Sequence, residues 1–164
     1  MHRDCRCLGF VPYPAPLSGH IFIIKVVNMF KKAATKAMEF ISTARAPPPA
    51  APYSQAIKAN GFLHISGQVP LTPENKMVEG DIQAKSQQCF DNLRAILQAG
   101  GCSPKDIVKI NIYTNDITNF KSVNEVYVKF FEDHRPARSF VAVKALPLNA
   151  DVEIEATALV PENN

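Results

Sequence analysis

The chain has 164 residues, of which 46% are hydrophobic and 20% are charged, a composition that suits one globular domain with an apolar core. Its net charge of +3 originates at the N-terminus, since residues 1–38 carry six basic side chains against one acid, whereas residues 39–164 carry twelve basic against fourteen acidic. This nearly neutral main part has no basic stripe with interleaved aromatic residues, which argues against nucleic-acid binding through a phosphate-neutralising surface.

Residues 1–50 are interpreted as an extension outside the fold. The apolar run 21–27 contains Lys25 and is much shorter than the roughly 20 residues that a membrane helix needs. Residues 29–37 are cationic, lack acids and can form an amphipathic helix, which is typical of a mitochondrial presequence. Prolines 47–49 then predict a stiff linker.

Two alternatives to import stay open. If translation starts at Met29, residues 1–28 are not translated. If it starts at Met38, the chain lacks the cationic segment 29–37 and stays in the cytoplasm. We expect the mitochondrial matrix, with the cytoplasm as the alternative.

The cysteines predict neither a disulfide framework nor a metal site. Cys5 and Cys7 have no partner ligands at zinc-site spacing, and the four histidines are scattered along the chain. We therefore expect free thiols, as in a reducing compartment, and no metal.

A domain is predicted over residues 51–164, and it begins with a β-hairpin. Strand patterns at 56–59 and 62–66 flank Asn60-Gly61, the pair that a type I′ turn favours. Asp81 predicts the start of a helix that runs to about residue 99, where two glycines end it.

A strand is predicted over residues 107–114, with Val108, Ile110 and Ile112 on one face. A second helix is predicted over about 119–134, and its inward-facing residues are Phe120, Val123, Tyr127, Phe130 and Phe131. Strands at 138–145 and 151–160 complete the order. It predicts an α+β fold with a single mixed sheet and two helices packed on one face.

Arg138 lies where the second helix gives way to a strand. Pro136 cannot continue the helix, so the chain turns and becomes extended just before Arg138. An arginine at the mouth of a strand is well placed to hold a carboxylate with its planar donors. The alternative is a surface arginine satisfied by a nearby acid.

Five short motifs, in their order along residues 51–160, carry a resemblance to a known family. They are Pro52-Tyr53-Ser54-Gln55, Ile65-Ser66-Gly67-Gln68-Val69-Pro70, Val123-Asn124, Pro136-Ala137-Arg138-Ser139 and Val152-Glu153-Ile154-Glu155-Ala156. Together they are similar to the Rid family of reactive-intermediate deaminases, also called the YjgF family, in its fungal mitochondrial type.

The resemblance implies a chorismate-mutase-like fold and a homotrimer with clefts between subunits. It implies hydrolysis of short-lived 2-enamine or 2-imine acids, such as 2-aminoacrylate and 2-iminobutanoate, to 2-oxo acids and ammonia. The expected link is to pyridoxal-phosphate-dependent dehydratases, which release these compounds. No cofactor, nucleic acid or membrane is expected as a partner.

The matched positions supply candidate site residues. The resemblance implies that Arg138 clamps the substrate carboxylate and that Glu153 orients and activates water. The other positions line or support the pocket, and they are Tyr53, Ser66, Gly67 and Asn124. Each of these residues also has an ordinary structural interpretation. For Glu153, the interpretation is that glutamates on one face of a strand are commonly exposed to solvent.

Phe140 departs from the family pattern, in which many members carry cysteine two residues after the arginine. The larger ring is expected to narrow the pocket beside Arg138. Phe140 therefore keeps open a second function, a non-catalytic regulatory trimer that binds small carboxylates. RNA cleavage with inhibition of translation, an activity also ascribed to some members of the family, is the third hypothesis, and the slightly acidic domain without a His pair or basic groove argues against it.

Overall fold

The computed structural model describes residues 38–162, so the predicted presequence and the choice between start codons at Met1 and Met29 lie outside the described residues. The strands are β1 (Glu39–Ile41), β2 (Ala56–Ala59), β3 (Phe62–Gln68), β4 (Ile107–Thr114), β5 (Ala137–Ala142) and β6 (Val152–Leu159), and the helices are α1 (Ile82–Ala99) and α2 (Phe120–Phe131). The strands form one sheet in the order β1-β2-β3-β6-β4-β5. Only β4 and β5 are parallel, and α2 connects them. The predicted mixed sheet with two helices on one face is confirmed.

Local signals explain the element boundaries. Asn60 and Gly61 both adopt positive φ, as the hairpin turn requires. The Asp81 side chain accepts a hydrogen bond from the Ala84 amide at 2.8 Å and so caps α1. Helix α2 ends earlier than predicted, because Glu132 adopts a φ of 54° that breaks the helical path.

The core lies between the helices and one face of the sheet. An aromatic cluster fills the space between α1 and α2, with Phe90 inclined against Phe130 at a centroid distance of 4.7 Å. The residues beneath it on the sheet are fully buried aliphatics, namely Leu63, Ile110, Ile112, Val152 and Ile154. Cys89 and Cys102 are free, buried thiols within this region.

Two residues predicted to face the core do not. A bulge between Ile107 and Lys109 shifts the alternation of β4, so that Ile107 is buried and Val108 is exposed. Phe120 is 43% exposed, because it begins α2 at the rim of the helix layer.

The sheet also begins earlier than the predicted boundary at residue 51. Strand β1 pairs with β2, and the side chain of Ile41 is buried. Residues 43–51, here called the strap, are held by Gln55, whose amide nitrogen donates to the carbonyl oxygens of Thr43, Ala46 and Pro47 at 3.1, 3.3 and 2.9 Å. The proline run is therefore attached to the domain, and the expectation that residues 39–50 lie outside the fold is corrected.

The second sheet face, here called the open face, carries no helix in the described part of the chain. It presents polar residues from the central strands, which are His64, Asn111, Tyr113, Glu153, Glu155 and Thr157. Exposed apolar side chains, including Phe40 and Val141, lie toward its edges. Within residues 38–162, neither helix combines the length and apolarity that crossing a bilayer requires.

Candidate active site

Glu153 extends from β6 on the open face into a cavity of about 360 Å³. Tyr53, Ser66 and Gly67 line the same cavity. The register of β3 against β6 shifts between Ile65 and Gln68, and this irregularity brings Ser66 and Gly67 beside Glu153. The structure therefore brings four of the predicted site residues together.

Gly67 is required here for space. A Cβ atom built on Gly67 would overlap the carboxylate of Glu153, so any larger residue would push that carboxylate aside. Ser66 is fixed next to it, because its hydroxyl donates to the Ser54 carbonyl at 2.7 Å and its amide donates to the Gln55 carbonyl at 3.0 Å. The hairpin strand thus presents a closely fitted backbone to the carboxylate.

The environment of Glu153 favours its protonated form. Burial raises the pKa of the Glu153 carboxyl above its usual value, and the neighbouring Glu155 raises that pKa further. No basic side chain is among the described residues that line the cavity. A raised pKa makes the carboxylate a stronger base, and the same group can return the proton in a later step.

Glu155 is itself held in place on the open face. Its carboxylate accepts hydrogen bonds from the Asn111 amide at 2.8 Å and from the Tyr113 hydroxyl at 2.9 Å. The hydrogen bond to Glu155 raises the pKa of Tyr113. Glu155 therefore has a fixed position two residues along β6 from Glu153.

Tyr53 forms part of the cavity rim. Its hydroxyl oxygen accepts a hydrogen bond from the Ala50 amide at 3.3 Å, which leaves the hydroxyl proton able to donate to a ligand. Tyr53 and Ser66, both predicted as site residues, therefore line the same cavity as Glu153.

Arg138 does not line the cavity that contains Glu153. On β5 it pairs with Ile110, whose side chain is buried under the helices, so Arg138 belongs to the helix-covered face. Its Nη1 donates to Asn124 Oδ1 at 2.7 Å, and its Cζ lies 4.6 Å from the ring centroid of Tyr127. Phe120 provides a second ring at 5.6 Å. The aromatic rings and Asn124 thus hold the guanidinium while leaving most of its donors for a ligand.

Phe140 joins this second group. Its ring meets Phe120 edge to face at a centroid distance of 4.9 Å and packs partly against the core. Phe140 thus extends the aromatic surface around Arg138.

Within one chain the predicted site residues form two groups on opposite faces of the sheet. Tyr53, Ser66, Gly67 and Glu153 surround the cavity on the open face. Asn124, Arg138 and Phe140 lie at the rim of the helix layer, with β4 between β5 and β6. One small substrate cannot contact Arg138 and Glu153 of the same subunit.

Several residues of these groups were not predicted from the sequence. Phe120 and Tyr127 share a helix face with Asn124, a spacing that marks one surface of α2. The strap and Leu148 line the Glu153 cavity, and no sequence pattern indicated them. Among residues 38–162, no three His, Cys, Asp or Glu side chains are grouped so that they could hold a metal ion.

Comparisons with known proteins show which family the chain resembles. The family model described as endoribonuclease L-PSP matches residues 43–160. The mitochondrial protein MMF1 of Saccharomyces cerevisiae is 50% identical over 119 residues, which cover 73% of this chain and 82% of that protein. A 2-iminobutanoate/2-iminopropanoate deaminase of Dermatophagoides farinae is 41% identical over 121 residues, covering 73% and 94%.

Solved structures share the fold. The crystal structure of yeast Mmf1 superimposes with a TM-score of 0.75 at 48% identity, covering 76% of this chain and all of that one (100%). Escherichia coli TdcF with bound serine superimposes with a TM-score of 0.71 at 36% identity, covering 74% and 98%.

Proposed function

Because the chain belongs to the endoribonuclease L-PSP family, also known as the YjgF or Rid family, we propose that it is a hydrolytic deaminase of 2-imino acids. Its substrates are 2-aminoacrylate and 2-iminobutanoate, released by pyridoxal-phosphate-dependent dehydratases. Its products are a 2-oxo acid and ammonia. The similarity to a relative named as a 2-iminobutanoate/2-iminopropanoate deaminase supports this choice.

The half-buried carboxyl of Glu153 is the observation that carries the proposal. Burial and Glu155 both raise its pKa, while Gly67 and Ser66 fix its surroundings. Hydrolysis of an imine needs one group that first takes a proton and later returns it. General acid–base catalysis of this kind contributes about 10²–10⁴-fold to a rate.

The reaction then proceeds in two steps. Glu153 accepts a proton from water as the water oxygen bonds to the carbon of the protonated imine, whose C=N π electrons move to nitrogen and give a neutral carbinolamine. The protonated Glu153 then donates to the amino nitrogen, the C–N bond breaks, and the carbinolamine hydroxyl passes its proton to the departing ammonia, so that the 2-oxo acid and ammonium form. Arg138 holds the substrate carboxylate throughout, and its charge-assisted hydrogen bonds contribute about 1.5–3 kcal/mol.

A homotrimer is part of this proposal. Because Arg138 and Glu153 of one chain lie on opposite sheet faces, a complete site requires Arg138 of one subunit and Glu153 of the next. The open face, with polar residues at its centre and exposed apolar residues toward its edges, is the surface that the neighbouring subunit covers.

The alternative within the same assembly is a non-catalytic trimer that binds small carboxylates. Phe140 favours it, since its ring packs against Phe120 beside Arg138, at a position where many family members carry cysteine. Escherichia coli TdcF with bound serine is a relative whose ligand carries a carboxylate.

RNA cleavage, which the family description names, has less support. The described lining of the Glu153 cavity has no basic side chain that would neutralise phosphate. His134, a candidate acid–base group, is already hydrogen-bonded through Nε2 to the Ile107 carbonyl at 2.7 Å.

The test couples a threonine dehydratase to the purified protein and follows the decay of the imine and the release of 2-oxobutanoate. Wild-type protein should accelerate decay, Arg138→Ala should lose about ten- to a hundredfold in kcat/KM, and Glu153→Gln should lose about a hundredfold or more in kcat. Decay no faster than in buffer, with retained binding of 2-oxobutanoate, would favour the regulatory trimer.

The proposed location is the mitochondrial matrix, with the cytoplasm as the alternative. The cationic composition of residues 29–37 and the similarity to the mitochondrial protein MMF1 support it. Sequencing the N-terminus of the mature protein from isolated mitochondria should give a start after residue 29 and before β1. An intact Met1 in the cytoplasm would refute import.

A further inference from the structure

Leu148 has a backbone conformation that disfavours its side chain. Its φ and ψ are 56° and 23°, in the left-handed region, and Asn149 follows with a φ of 54°. Asparagine tolerates this region, but in leucine the Cβ atom approaches the next carbonyl oxygen too closely. The sequence therefore places a bulky residue where glycine or asparagine would be easier to accommodate.

Burial does not compensate for this strain within the described chain. The Leu148 side chain is 59% exposed, so it gains little from packing. It does line the cavity that contains Glu153. Strain that persists beside a functional cavity, without a packing reason, is a basis for inferring a role in that cavity.

The cavity wall also includes the strap, from which Pro47, Pro48 and Ala51 line it. This wall is firmly held, because Gln55 is 2% exposed and its side-chain amide bonds to three strap carbonyls while its oxygen accepts from the Thr43 amide at 2.7 Å. Proline rings add further stiffness to the backbone. The apolar wall thus has a fixed shape.

We propose that Leu148 and the strap form an apolar collar that selects the side chain of the substrate, with Leu148 as a specificity-determining residue. The inference rests on the proposed function. In the proposed site, Arg138 holds the substrate carboxylate and Glu153 lies beside the imine carbon. The third group of the substrate is its side chain, and we place it against the collar. Aliphatic side chains gain from contact with this wall, whereas an ionised one would lose hydration there.

The test compares two imines generated in place by an amino-acid oxidase, one from alanine and one from leucine. Leu148→Asn keeps the left-handed backbone and the approximate size of the side chain but makes it polar. Its kcat/KM for the leucine-derived imine should fall about tenfold, and that for the alanine-derived imine should change less than about twofold. Leu148→Gly should show the same change in ratio and unfold at a temperature no lower than wild type, because the strain is relieved.

Val128→Asn is the matched control, since Val128 is an exposed apolar residue on α2 that does not line the cavity. It should keep the wild-type ratio of the two kcat/KM values. Size-exclusion chromatography of each variant reports the state of assembly.

The outcomes separate the two hypotheses. If wild-type protein accelerates the decay of neither imine, the proposed function fails, and the selectivity fails with it. If wild type hydrolyses both and Leu148→Asn keeps the wild-type ratio, the collar is refuted while the function stands. If both Leu148 variants elute as smaller species and lose both activities equally, Leu148 serves assembly and the inference is wrong.

Discussion

On β6, Val152, Ile154 and Ala156 are buried on the helix-covered face, while Glu153 and Glu155 lie on the open face. The first face consists mainly of close-packed apolar side chains, and Arg138 meets α2 at its rim. The second carries a linked set of polar groups around Glu155 and a cavity around Glu153.

The two faces of this sheet differ in role: the helix-covered face contributes most of the packing that stabilises the fold, and the open face carries the candidate site around Glu153. The helix-covered face can be read as a scaffold, since its residues contact one another and exclude water. The open face contains the carboxyl group that is costly to bury and useful in catalysis. Because the arginine and the glutamate belong to different faces, a second copy of the chain is the simplest source of the missing half.

The largest expected effect comes from separating these two halves. Refolded alone, Arg138→Ala should keep at most about a tenth of wild-type kcat/KM and Glu153→Gln about a hundredth or less of wild-type kcat. When the two variants are unfolded, mixed in equal amounts and refolded together, the subunits combine at random in closed rings. About one interface in four then joins a subunit with an intact Arg138 to a neighbour with an intact Glu153. Activity should therefore recover to about a quarter of wild type. The coupled dehydratase assay measures this recovery.

The control for this experiment mixes Glu153→Gln with Gly67→Ala. Both changes damage the same half, since an alanine at 67 displaces the Glu153 carboxylate. No interface in that mixture is intact, so no recovery is expected. Recovery in the control, or none in the Arg138 and Glu153 mixture, would contradict a site shared between subunits.

The next effect concerns the strap and β1. A chain that begins at residue 51 should be about 3–5 kcal/mol less stable than one that begins at Met38, because it loses the burial of Ile41 and leaves the buried Gln55 amide without its partners. Urea unfolding of the two chains measures the difference. Equal midpoints would mean that residues 38–50 add nothing to the fold.

A pair of neighbours on β4 tests the two faces directly. Ile112→Ala, on the helix-covered face, should cost about 2–5 kcal/mol by leaving a cavity. Tyr113→Phe, on the open face, removes one hydrogen bond to Glu155 and should cost about 1 kcal/mol. Similar losses in urea unfolding for both variants would show that the open face is packed as tightly as the core.

Local signals in the sequence predicted much of the fold. Asn60-Gly61 fixed the hairpin, and Asp81 fixed the start of α1, because both act through neighbouring backbone atoms. The bulge at Ile107 and the pairing of β1 with β2 were missed, since each depends on contacts with residues distant in sequence. Strand alternation failed at Val108 for that reason.

The site was predicted as a set of residues and not as an arrangement. Matched motifs identified Glu153, Ser66 and Gly67, which do lie together, as well as Arg138, which lies on the other face. Motif order carries no information on which sheet face a side chain occupies, because that depends on register and bulges. Leu148 was not predicted at all, since its strained backbone is a consequence of tertiary structure.

The smallest expected effect is a pH dependence of stability centred on Glu153. Its pKa in the folded protein is raised by burial, then by Glu155, so the folded state holds this proton more tightly than the unfolded state does. Stability from this group is therefore fully present below the unfolded pKa, near about 4.3, and is lost as pH rises through the folded pKa. Glu153→Gln removes the cost of the charge, so the variant should match wild type in acid and become slightly more stable at neutral pH.

Urea unfolding of wild type and Glu153→Gln from acid to neutral pH measures this difference. Glu74→Gln, at an exposed loop position, changes the net charge equally and should show no such trend. A variant that is less stable than wild type at neutral pH would mean that the ionised carboxylate is stabilised in the fold. The carboxyl would then be an ordinary surface anion, and the main reason for assigning proton transfer to Glu153 would be gone.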